Sequence, residues 1–198
     1  ERDMNKPSRR SDLAISPRLA KIMINLSEIK EKGVLLDPFC GIGVILQEAL
    51  LQNIKVMGID RNSDAIRGAI ENLKWGKFRK ENYLLINGDS RKERIRESDV
   101  IVTEPDLGEV LRKIPPREVA EGIINDYERL MVDVLNNCIS RVKGRIVFTA
   151  PLIRTMKGRA SCNISRILKH TGLRLVQGFP IEEYRADQIV GRNIFVLE

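Results

Sequence analysis

Four acidic residues, Asp37, Asp60, Asp89 and Glu104, each close a short apolar run: VLLD, KVMGID, YLLINGD and DVIVTE. At strand ends, carboxylates can accept hydrogen bonds from hydroxyls and amines, balance a cation, or take up a proton. A lone acid there commonly caps the helix that follows. Four acids in the same kind of position are hard to explain by packing. The first opens DPFCGIG, where Gly41 and Gly43 turn the chain into the apolar helical run VILQEAL. A dinucleotide fingerprint would place a third glycine where Leu46 stands, so that match is partial. Asp37 at the loop mouth would repel a pyrophosphate and attract an ammonium or a sulfonium.

The elements that must position these acids alternate. A fifth apolar run, RIVFTAP, follows the four, and helical patterns fall at about 42–52, 62–75, 116–142 and 160–170. Strand–helix alternation predicts an α/β fold: a doubly wound, mostly parallel sheet of seven strands, with helices on both faces and an antiparallel edge strand. Two closing runs, LRLVQGF and NIFVLE, are expected to pair antiparallel at that edge. Ligands of such sheets bind beyond the carboxyl ends of the strands, where the four acids sit. Ser16 followed by Pro17 starts an earlier helix, with Leu19, Ile22, Met23 and Leu26 on one face. Residues 1–15 read as a polar N-terminal arm and 16–198 as one domain.

Thirty-four basic against 27 acidic residues leave a net charge of +7 in 198 residues, which favours a polyanionic partner, nucleic acid above all. A merely basic, solvated surface would give the same composition. Cys40, Cys138 and Cys162 lie far apart, so neither a disulfide framework nor a zinc site is expected, and the setting is expected to be cytoplasmic. No metal and no membrane partner are expected. Cys40 could be read as a nucleophile, but its place inside the glycine turn favours a small packing side chain. His170 falls near a helix end, where it would complement the dipole. Trp75 and Phe78, among Lys74, Lys77, Arg79 and Lys80, lie between a helix and a strand, on the edge away from the acids.

DPFCGIG resembles the cofactor loop of class I S-adenosylmethionine-dependent methyltransferases. Gly58, Ile59 and Asp60 resemble that class's second-strand motif, and Asn87, Gly88, Asp89 and Ser90 its third. The resemblance implies that S-adenosyl-L-methionine, which carries both an ammonium and a sulfonium, is the cofactor. It also implies a site of Pro17, Asp37, Pro38, Phe39, Cys40, Gly41, Gly43, Asp60, Arg61, Asp89 and Ser90, with Asp60 on the ribose and Asp89 on the adenine amine. Amine methyltransferases of the class carry (Asp/Asn/Ser)-Pro-Pro-(aromatic) after the fourth strand; VTEPDLGE occupies that place here. With DPFCGIG and SRRSDLAISPRLAKIMINL, it is most similar to the tRNA guanosine methyltransferases that modify the 2-amino group and to their RNA methylase relatives, over nearly the whole chain. The likeness implies Glu104, Pro105 and Asp106 as catalytic residues acting on a guanosine amine in RNA, most simply tRNA. Asp106 stands where the relatives' variant motif has an aromatic ring, so base stacking would fall to another ring such as Tyr184 or Phe39.

By topology Arg112, Lys113 and Arg117 after the fourth strand, and Arg154, Lys157 and Arg159 after the fifth, are candidates for RNA phosphate contacts. Relatives usually add an RNA-gripping THUMP domain, expected upstream or on another chain. A DNA amine methyltransferase and a catalytically silent cofactor- or RNA-binding subunit are the alternatives.

Overall fold

Every apolar run that leads to an acid forms a strand, because β-branched and apolar residues buried on both faces suit the interior of a parallel sheet. The computed structural model describes residues 5–9, 15–106, 111–185 and 187–198. Strands β1 (Val34–Asp37), β2 (Lys55–Asp60), β3 (Tyr83–Asn87), β4 (Val100–Thr103) and β5 (Ile146–Thr155) run parallel. They are joined by β6 (Gly158–Ser161), β7 (Ile181–Glu183) and β8 (Val190–Leu197) in one eight-stranded sheet. The order is β3-β2-β1-β4-β5-β8-β7, with β6 paired to β5 outside this path. The reversal of order at β1 and β4 opens a crevice at the carboxyl ends of the parallel strands.

Helices α1 (Pro17–Leu26), α2 (Val44–Leu50) and α3 (Ser63–Trp75) cover one face through Met23, Leu46 and Leu73, all fully buried. The other face is covered by α4 (Arg117–Cys138) and α5 (Ile164–Thr171), through Met131, Leu135 and Ile167 against Phe148 and Phe195. Ser16 caps α1 as expected, its Oγ accepting the Leu19 N–H at 3.2 Å. The described part of the N-terminal arm is anchored: Ser8 exchanges two hydrogen bonds with Asn72 of α3, at 3.0 and 3.1 Å.

Three details differ from the sequence reading. The sheet has eight strands rather than seven, because GRAS, with no apolar run to mark it, folds back on β5 as β6. That strand displaces the expected helix start at 160, and α5 begins at Ile164. LRLVQGF does pair antiparallel with NIFVLE, through the Leu175–Leu197 bridge and backbone hydrogen bonds of Arg174 with Glu198 and of Val176 with Val196 at 2.8–2.9 Å, but the pairing is short because Gly178 at φ 91° turns the chain away. The edge is completed by the polar β7, which the sequence did not mark and whose charged residues suit an edge. Among the described residues no helix is long and apolar enough to cross a membrane.

Candidate active site

The crevice is a cavity of about 610 Å³, within the range of small-molecule sites, and all four strand-end acids line it. Asp37, at the end of the central strand β1, is 1% exposed. Its Oδ1 accepts from Thr103 Oγ1 at 2.6 Å and from the Phe39 N–H at 3.1 Å, which leaves Oδ2 to the cavity. Burial pushes its carboxyl up to about 7 against the lowering effect of those two bonds, and the charges of Asp60 and Glu104 push the same way. Among the described residues no lysine or arginine pairs with it. A buried carboxyl beside two others and without a counter-cation is neutralised by a proton, and a cation in the cavity would favour its ionised form.

The glycine turn shapes the wall opposite. Gly41 at φ 51° and Gly43 at φ 84° take up left-handed backbone that side chains resist. The turn directs the Gly41 N–H to Asp60 Oδ2 at 2.9 Å, while Asp60 Oδ1 accepts the Asn62 N–H at 2.9 Å. Each Asp60 oxygen keeps a further lone pair. Gly58 must be a glycine for space: a Cβ there would come 2.6 Å from Leu46 Cδ1 and 2.9 Å from Cys40 Sγ. Cys40 is buried in that turn, and burial, then the charges of Asp37 and Asp60, push its thiol well above the ordinary value, which disfavours the thiolate that a nucleophile needs.

Asp89 follows β3, and the Arg91 guanidinium holds its carboxyl down to about 2 through bonds at 2.6–3.1 Å. Ser90 Oγ donates to the Pro38 carbonyl at 2.5 Å and so ties the third strand end to the loop. Pro38, Phe39 and Arg61 also line the cavity. Pro17 does not; it sits at the first position of α1, and Ile15 provides the apolar wall instead.

Glu104, just past β4, lines the same cavity with the buried Pro105 and the exposed Asp106. Its Oε1 takes the Arg192 Nε–H at 2.5 Å and the Thr149 hydroxyl at 3.5 Å; Oε2 is left to the cavity. Burial raises its carboxyl, and the Arg192 charge and hydrogen bond pull it back. Arg192 Nη1 also lies 3.5 Å from Glu183 Oε2, within ion-pair distance but not aligned as a hydrogen bond. Sequence reading had no signal for Arg192 or Thr103, whose partners come from other strands or loops, and it did not mark Arg91, whose partner Asp89 is two positions away. Leu107, Gly108 and Glu109 of VTEPDLGE lie outside the described residues.

Phe39 lines the cavity; Tyr184 does not, and its ring is covered by the Arg159 guanidinium, 3.5 Å from the centroid. Arg112 and Lys113 are exposed on the segment between β4 and α4. The Arg154 N–H bonds the carbonyl of Ile189, a lining residue, at 2.8 Å, and Lys157 is exposed at the β5–β6 turn. Arg117 and Arg159 line a separate hollow. His170 lies in the last turn of α5, and Trp75 at the end of α3, before β3 begins.

The model of the RMKL-like methyltransferase domain family matches residues 7–116, more than half of the chain and the part that holds β1 to β4 with all four acids. The chain belongs to this family. A tRNA (guanine(10)-N2)-dimethyltransferase of Pyrococcus abyssi is 32% identical over 157 residues, covering 76% of this chain and 44% of the relative. One from Methanothermobacter thermautotrophicus is 41% identical over 96 residues, 48% of this chain and 28% of the relative. The chain thus spans less than half the length of these curated relatives. The crystal structure of TrmN from Thermus thermophilus superposes with a TM-score of 0.67 at 20% identity, covering 93% of this chain and 49% of that one, which shows the shared fold.

Proposed function

We propose that this domain transfers a methyl group from S-adenosylmethionine to the exocyclic 2-amino group of a guanosine in RNA, in a tRNA as the names of its relatives suggest. The observation that carries the reading is the pair of buried acids with complementary demands. Asp37 lacks a cation, and Glu104 is clamped by one oxygen with the other turned to the same cavity.

The residues present fit the cofactor. Asp37 Oδ2 suits its cationic amino acid end, the Asp60 carboxylate can accept two ribose hydroxyls, and Ile15, Ile42 and Phe39 offer apolar wall. Asp89, partly engaged by Arg91, retains acceptor sites for an adenine amine. When bound, the cofactor supplies an electrophilic methyl group. The chain's own part is to prepare the acceptor. An aryl amine is a poor nucleophile because its lone pair is drawn into the ring. Glu104 Oε2 and the Pro105 carbonyl would accept its hydrogens and restore nucleophilic character, and Glu104 would take the departing proton, an effect typically of about 100- to 10,000-fold. Phe39 is the lining ring that could stack on the base in place of the residue at 106.

The reading is tested by titrating the protein with S-adenosylmethionine in a calorimeter and by assaying methyl transfer to RNA with DNA as competitor. Heat of binding and RNA transfer that excess DNA leaves unimpaired are expected. Transfer to DNA would replace the substrate class, and cofactor binding without transfer to either would make the domain a silent subunit.

A further inference from the structure

Arginines that the sequence assigns to two separate clusters meet in a second hollow of about 380 Å³, between the start of α4, β6 and α5. Arg117 comes from α4, Arg159 from β6, and Arg166, which no sequence pattern marks, from α5. Two of them are held by carboxylates: Arg117 Nε lies 2.7 Å from Glu121 Oε1, and Arg166 Nη1 lies 3.4 Å from Glu128 Oε2. Glu128 is itself buried and accepts the Asn163 N–H at 2.6 Å.

Arg159 differs from both. Its guanidinium is stacked over Tyr184, and its Nη1 is buried without a hydrogen-bond partner among the described residues. No carboxylate among the described residues lies within ion-pair distance of it. A buried guanidinium nitrogen without an acceptor is unfavourable, and because Arg159 is only half-buried and lines the hollow, a small in-plane shift of its side chain towards an entering anion would supply one. Three guanidinium groups against two carboxylates leave the hollow positive, and the two carboxylates serve to aim Arg117 and Arg166 rather than to cancel Arg159.

We propose that this hollow binds a backbone phosphate of the substrate RNA, with Arg159 as its central contact and Arg117 and Arg166 at its sides. Guanidinium forks approaching from three elements suit the several oxygens of a phosphate better than the two of a carboxylate. The ring beneath Arg159 fixes its plane before the ligand arrives. The inference rests on the RNA reading above and adds a second anchoring point to it.

The test is filter binding of an unmodified tRNA transcript across a series of potassium chloride concentrations, comparing the parent protein with Arg159→Gln and Ser161→Asp. Ser161 is an exposed residue lining the hollow, so an aspartate there places an anion in it while leaving every arginine in place. S-adenosylmethionine affinity verifies that each variant is folded. Each variant should weaken binding about 3- to 10-fold, and loss of one phosphate contact should lower the salt slope by roughly 0.7–0.9. If the parent methylates RNA while both variants keep its affinity and slope, the hollow is not a phosphate site and the RNA reading stands. If the parent neither binds nor methylates RNA, the reading and the inference fall together.

Discussion

Asp37 and Glu104 share one device: one carboxylate oxygen is fixed by the fold and the other is left to the cavity. For Glu104 the expected result is that Glu104→Gln lowers methyl transfer at least about 100-fold while S-adenosylmethionine affinity, measured by calorimetry, stays within about 2-fold. Retained transfer would remove Glu104 from the chemistry. Arg192 pulls down a carboxyl that burial raises, so Arg192→Gln should move the acidic limb of the pH–rate profile to higher pH. An unmoved limb would mean that the ion pair is only a strut. Burial pushes the Asp37 carboxyl up to about 7 in the folded protein from 3.8 ordinarily. A bound cation favours its ionised form, so cofactor affinity should fall as pH drops below about 7 and be flatter in Asp37→Asn. The sign for stability is the reverse. The folded state holds the Asp37 proton between about pH 4 and 7 while the unfolded chain releases it, so stability declines as pH rises through that window. Asp37→Asn should therefore be more stable than the parent at pH 8 without cofactor, by on the order of 1–3 kcal/mol in chemical denaturation.

At the scale of elements, the turn from β1 into α2 packs against β2 so closely that Gly58→Ala would drive a methyl into Leu46 and Cys40. A loss of about 1–3 kcal/mol is expected, with weaker cofactor binding because the Gly41–Asp60 bond crosses the same contact. Unchanged thermal stability would show that the turn can relax. The five parallel strands were legible in the sequence because each carries a short apolar run, and four of them end at or just before an acid or a glycine, while Pro151 lies inside the fifth. Of the antiparallel strands only β8, marked by the run NIFVLE, was legible. GRAS and IEE carry no periodic pattern, and their pairing is decided by the neighbours they meet. The same holds for the site. The acids were visible at strand ends, but Arg192 lies 88 positions from Glu104, and Thr103 lies 66 from Asp37, separations over which no local spacing speaks. The substitute ring was legible only in part: Phe39 faces the cavity, whereas Tyr184 is taken up by Arg159.

For the whole molecule, a net charge of +7 coexists with a cavity lined by six acidic residues and three arginines, so the excess of basic residues lies outside it. On the proposed function, such a surface would bind RNA through phosphates with strong salt dependence, and the choice of base would be left to the cavity. On the proposed function, an RNA-gripping module, on the same chain or another, would add phosphate contacts to those of the domain. Adding one should raise tRNA affinity without altering which atom is methylated, a comparison made on the same transcript. The measurement that tests the central claim most directly is transfer of labelled methyl from S-adenosylmethionine to an unmodified tRNA pool, followed by digestion to nucleosides. The account predicts label in guanosine methylated on its 2-amino group. Label in a different nucleoside, or on a ring atom of guanosine, would contradict it.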